Sequence, residues 1–151
     1  SASPQDLMTA KLFFNAAFPT MQVLLDDDPK LHKKFQNFNA TVQFGAMNDG
    51  ELLCCHLIFQ NGNLTVVQGP AEKSDISLTF SSVEKMNSLL KGGLSLPSIK
   101  GNLSLLPNVL SILMGLKIMT KPNDKLKNDT EKLLKVKCSL YMITRALSQY
   151  N

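Results

Sequence analysis

The sequence predicts an α+β domain: a mostly antiparallel sheet of four or five strands with helices before and after it. Three observations carry this expectation. Residues 40–66 alternate with a period of two and contain two hairpin turns. Helical spacing flanks that stretch on both sides. The run at 103–119, LSLLPNVLSILMGLKIM, holds more apolar side chain than a helix can show to one partner.

Ser3 caps a first helix with Pro4 in its first turn. Leu7, Ala10 and Phe14 recur at helical spacing until Pro19 interrupts, and Thr20 caps a second short helix over 20–25. Asp28-Pro29 starts a third, PKLHKKFQNF, on which His32 sits exposed among lysines. Asp49-Gly50 and Asn61-Gly62 are two-residue hairpin turns. The first pairs Val42 with Leu57, Phe44 with Cys55 and Ala46 with Leu53; the second pairs Leu57 with Val66 and Phe59 with Leu64. Paired residues share a face, so both turns independently build the same apolar side of a three-stranded meander. Its reverse, with Gln43, Gly45, Cys54, His56, Ile58 and Thr65, is expected to be wet.

A fourth strand runs over 75–80, with Ile76, Leu78 and Phe80 inward. Ser81 and Glu84 form a capping box for a helix whose stripe is Val83, Met86, Leu89 and Leu90, stopped by Gly92-Gly93. Residues 97–102 form a short fifth strand or a turn. Ser104 caps the apolar helix and Pro107 suits its first turn. A last helix spans roughly 124–149, with Leu133, Val136, Leu140, Ile143 and Leu147 spaced three and four apart. One domain is expected over 1–151: a helical start at 1–38, sheet and helix at 39–103, and apolar and Lys-rich helices at 104–151.

Charge is uneven. Residues 1–116 carry eight Lys against nine acids, whereas 117–151 carry seven Lys and one Arg against three. That basic end suits transient contact with an anionic membrane surface. A single Arg and no aromatics interleaved with the lysines argue against nucleic acid. Three cysteines, two adjacent, make no disulfide framework and point to a reducing, cytoplasmic setting. The polar start predicts no secretory signal, and Ser1 and Ala2 read as remnants of processing.

Catalytic signals are weak. On a strand, Cys54 and His56 face one way and Cys55 the other, so the three cannot converge on one ion. Asp26-Asp27-Asp28 reads as capping and solvation, and Glu84 has a capping role. There is no G-x-S-x-G elbow, P-loop or dinucleotide fingerprint. The chain is expected not to be an enzyme and to need no cofactor or metal. What remains is apolar surplus: leaving ten side chains of the 103–119 run in water would forfeit roughly 15–30 kcal/mol. The run is shorter than the about 20 residues that span a bilayer. A bound apolar ligand, a membrane surface or a second subunit must take one face.

FNATVQF at 38–44, GNLTV at 62–66, SDISLTF at 74–80 and MNSLLKG at 86–92 together carry a resemblance. In order and spacing, residues 38–93 resemble the sterol carrier protein-2 (nonspecific lipid-transfer) family. A small residue and Asp opening an alternating strand, then a helix ending in Leu-Leu-x-Gly, is that family's pattern. The resemblance implies about five strands, helices on one side, and a tunnel binding fatty acids, acyl-CoA, phospholipids or sterols without transforming them. The chain departs from the pattern at 94–103, which is compressed, and in its long last helix. The expected tunnel walls are Phe44, Leu57, Phe59, Val66, Ile76, Leu78, Phe80, Met86, Leu89 and Leu90 on one side. Leu105, Val109, Leu113, Met114 and Met119 form the other wall or a lid, with Lys117 and Lys121 placed for a carboxylate or phosphate head. Non-catalytic lipid binding or transfer is the leading expectation. The competing ones are a module that homodimerises through the apolar C-terminal helices, and an accessory domain presenting a lipid-like substrate to a partner enzyme.

Overall fold

The two hairpin turns set the register of the sheet. Asp49 and Gly50 have φ of 53° and 79°, and Asn61 and Gly62 of 48° and 88°, the left-handed pairs that a two-residue turn between twisted strands requires. The computed structural model describes residues 1–120. In it, β1 (Asn39–Asn48), β2 (Glu51–Gln60) and β3 (Asn63–Gln68) pair antiparallel, with Val42 opposite Leu57, Phe44 opposite Cys55 and Leu57 opposite Val66, as expected. Strand β4 (Ile76–Phe80) lies parallel to β1, and β5 (Ser98–Gly101) pairs antiparallel with β4 at the edge. Among the described residues the sheet has five strands in the order β3-β2-β1-β4-β5, mixed but mostly antiparallel, in an α+β fold.

This order dictates what covers the reverse face. Chain leaving β3 must pass β2 and β1 to reach β4, about 14 Å at ~4.8 Å per strand. Segment 69–75 makes that crossing, held by the reverse-face side chains of Gln43 and His56 and by one backbone bond to β2. Ala71 N donates to Gln43 Oε1 at 3.0 Å, and Gly69 N donates to the Cys54 carbonyl at 2.9 Å. His56 Nδ1 sits 2.9 Å from the Gly69 carbonyl oxygen, so Nδ1 carries the proton. The expectation of a wet face is therefore corrected: Cys54 is buried there, and Gln43, His56 and Ile58 are half-buried.

The helices pack on the other face. Helix α1 (Pro4–Leu12) is capped by Ser3, whose Oγ accepts from Asp6 N at 3.1 Å. Pro19 does not interrupt the helical path. A π-helical turn (Phe13–Ala17) leads straight into α2 (Phe18–Asp27), with Phe18 N donating to Phe13 O five residues back. Proline removes one donor from the ladder, and the nearby Phe14 carbonyl accepts instead from Gln68 Nε2 of β3 at 3.3 Å. Thr20 is not a cap: its Oγ1 donates to the Ala16 carbonyl at 2.6 Å inside the helix. Asp28 caps α3 (Pro29–Phe35) through Lys30 N and Leu31 N, and His32 is exposed as expected.

Helix α4 (Val83–Leu90) starts one residue later than the capping box predicts. Ser82 accepts from Lys85 N at 3.2 Å, which leaves Glu84 one position short of the box. A single 3-10 turn (Leu103–Leu105) precedes α5 (Leu106–Thr120), with Pro107 in the first turn. Asn102 caps the 3-10 turn, its Oδ1 accepting from both Ser104 N and Ser104 Oγ, so the Ser104 hydroxyl is turned to Asn102 instead of capping the helix. Phe14, Phe18, Met21, Phe35, Phe44, Ile76, Phe80 and Met86 form the centre of the core, each at most 1% exposed. Aromatic edge contacts knit its layers: Phe18 meets Phe44 at 5.4 Å, and Phe35 meets Phe38 at 5.2 Å. The expected helix over 124–149 lies outside the described residues.

Candidate functional site

Helix α5 has apolar side chains on every side, and the fold covers only part of them. Val109, Ile112 and Leu116 are buried against the core. Gly115 lets α5 approach the preceding helices: a Cβ there would lie 2.8 Å from Met21 Cε and 3.5 Å from Leu24 Cδ1. On the opposite side Leu110 and Met114 remain 53% and 61% exposed. They look into a groove of about 320 Å³ floored by Leu78 and Leu89 and closed by residues 92–97, Ile99, Leu106 and Leu113. Ser95 contributes a hydroxyl to that lining, and its Oγ donates to the Lys85 carbonyl at 2.7 Å, which ties the loop to α4. The remaining lining is hydrocarbon, thioether and glycine backbone.

A second space lies deeper, between α5 and the sheet. It is a crevice of about 10 Å³ lined by Phe18, Val42, Phe44, Leu57, Phe59, Val109, Ile112 and Leu113. That is room for about one water-sized sphere, not a hydrocarbon chain. Leu113 borders both spaces and separates them.

Neither a family model nor a curated protein matches the chain. Solved structures do. The sterol carrier protein domain 2 of Helicoverpa armigera aligns with a TM-score of 0.51 at 17% identity, covering 81% of this chain and 98% of that one. The chain has the sterol carrier protein 2 fold. A palmitated SCP2L2 from Aedes aegypti aligns with a TM-score of 0.51 at 12% identity, covering 74% of this chain and 95% of that chain. A ubiquinone synthesis protein described as UbiJ-SCP2 aligns with a TM-score of 0.50 at 13% identity, covering 74% and 97%.

Within this sterol carrier protein 2 fold the expected wall residues separate into three sets. Leu78, Leu89, Leu113 and Met114 line the open groove. Phe44, Leu57, Phe59 and Val109 line the narrow crevice. Ile76, Phe80, Met86 and Leu90 fill the core and line neither space, and Val66 and Leu105 are half-buried beside it. Lys117 and Met119 fall on the last turns of α5, where no side chain is described, and Lys121 lies outside the described residues. Leu94, Leu96, Ile99, Leu106 and Leu110 complete the groove without belonging to the expected walls. The signal for them was a cluster of leucines inside a Gly-, Ser- and Pro-rich segment, where a loop ordinarily carries polar residues.

Both cysteines of the pair are free and buried. Burial pushes the Cys55 thiol far above its usual range, with Cys54 beside it adding to the shift, and burial raises Cys54 as well. Both thiols are therefore held in the neutral form, which is a poor nucleophile, and are shielded from solvent by their burial. Among the described residues no three His, Cys, Asp or Glu side chains group as a metal site, and no helix is long and apolar enough to cross a membrane.

Proposed function

We propose that this protein binds and carries one hydrophobic ligand of the fatty acid, acyl-CoA, phospholipid or sterol-like class, held by apolar burial in the groove beside α5 and released unchanged. The groove itself carries the reading: about 320 Å³ of apolar space in a fold whose solved examples include one described as palmitated. That volume lies at the small end of the range for ligand pockets. Burying roughly ten methylenes of a chain is worth about 8 kcal/mol before the costs of association. The apolar lining supports carriage over chemistry, because Ser95 is engaged and the other lining groups offer no acid, base or nucleophile.

Leu78, Leu89, Leu106, Leu110, Leu113 and Met114 would grip the chain, and Lys117 and Lys121 would meet a carboxylate or phosphate head. Native mass spectrometry of protein purified without detergent tests this. Adducts of fatty-acyl mass, released by organic extraction, are expected. A protein that stays free of adducts after incubation with micelle-free palmitate contradicts the proposal.

A further inference from the structure

Residues 92–97 form the most exposed apolar surface of the described chain: Leu94 is 100% exposed and Leu96 93%. A folded domain scatters single leucines over its surface, but two nearly bare ones on one short loop mark a contact site. The loop leaves α4 through Gly92, whose φ of 92° ends the helix, and Ser95 then fastens it back on the Lys85 carbonyl. Its leucines are thus presented on a tethered projection. Beneath the loop, Leu94 and Leu96 share a surface hollow with Lys85 and Glu84 of α4; Lys91 is exposed at the end of α4, and Lys100 on the edge strand β5.

We infer that this loop docks the protein on an anionic lipid surface, Leu94 and Leu96 entering the acyl boundary while Lys85 and Lys91 face acidic head groups. Two features favour a bilayer over a second protein. Bare leucines with Lys85 beside them and the exposed Lys91 at the start of the loop match the two attractions an interfacial lipid surface offers, apolar burial and negative charge. The same loop is also the lip of the groove, which Leu94, Leu96 and Pro97 border. Docking there sets the groove mouth against the membrane, so that a lipid enters without its chain crossing water. That coupling rests on the acyl-chain reading above; the docking itself does not.

The chain has no tryptophan, so Leu96→Trp installs a single reporter on the loop. With vesicles of phosphatidylcholine and phosphatidylserine, the emission is expected to shift to the blue and to be quenched by lipids brominated on the acyl chains. Leu94→Ser with Leu96→Ser is expected to lower the vesicle partition coefficient about tenfold or more. Lys85→Glu with Lys91→Glu is expected to abolish the preference for phosphatidylserine over phosphatidylcholine alone. An unmoved Trp spectrum, or a serine variant that partitions like the parent, overturns the proposal. So does a concentration-dependent dimer that the serine variant abolishes, since a second copy would then cover the loop. Binding of palmitate by the parent without vesicles is measured separately, so a failure of the acyl-chain reading appears there and leaves the partition result to judge docking alone.

Discussion

Met114 offers the sharpest test of where a ligand lies, because it lines the groove yet is 61% exposed. A Met114→Glu substitution therefore adds a carboxylate to the groove wall without opening the core. Surface changes of this kind usually alter stability by no more than ~0.5 kcal/mol. The effect on a bound acyl chain is far larger. Losing the apolar contact removes about 1.5 kcal/mol, and an unpaired polar group covered by hydrocarbon costs a further 1–3 kcal/mol, roughly. Together these predict a Kd weakened on the order of a hundredfold to a thousandfold. Met114→Leu keeps the hydrocarbon and is expected to stay within about threefold of the parent. Titration with a fluorescent fatty acid, alongside thermal unfolding of each variant, measures both quantities. A Met114→Glu protein that melts like the parent and binds equally well would refute the reasoning and move the ligand elsewhere.

Three further predictions concern the scaffold. Gly45→Ala would drive a Cβ into the Leu53 carbonyl oxygen and the Cys54 Cβ across the β1–β2 ladder. Backbone cannot yield there, so denaturant unfolding should show a loss on the order of 3 kcal/mol. Gln22 fastens α2 to the β2–β3 hairpin, its Nε2 donating to Gly62 O at 2.9 Å and its Oε1 accepting from Leu64 N at 2.6 Å; Gln22→Ala should cost about 1–3 kcal/mol in the same assay. Cys54 and Cys55 should resist alkylation at neutral pH in native protein carrying Cys138→Ser and react fully in urea. Because burial raises both thiols above the ordinary value of 9.0, their contribution to stability is fully present below that pH. It is lost above it, where the unfolded chain ionises first. Unfolding monitored from pH 7 to 10 in the same variant, against a version with both cysteines replaced by alanine, checks the sign.

The register of the sheet was legible in the sequence because it is local information. Each turn dipeptide must adopt left-handed φ, and only one register then keeps Val42, Phe44 and Ala46 on the side of Leu57 and Val66. What escaped depends on partners distant along the chain. Pro19 reads as a break until Gln68, 54 residues beyond Phe14, takes the role of donor to a carbonyl beside the π-turn. The reverse face reads as wet until the strand order forces segment 69–75 across it. The caps expected at Ser81 and Ser104 fall instead at Ser82, one position on, and at Asn102, two positions back, because nearby residues of equal capping ability compete. The surplus of apolar surface on 103–119 was legible in kind, and Leu110 and Met114 bear it out by their exposure. Its location was not, since nothing periodic in 94–99 announces a loop that folds over Leu78 and Leu89 to make a groove.

Photocrosslinking with a fatty acid carrying a diazirine near its methyl end, followed by peptide mapping, addresses the central claim most directly. Adducts are predicted on 106–114 of α5 and on the facing 94–99 segment. Adducts confined to the reverse face, at Ile58 or along 69–73, would contradict it.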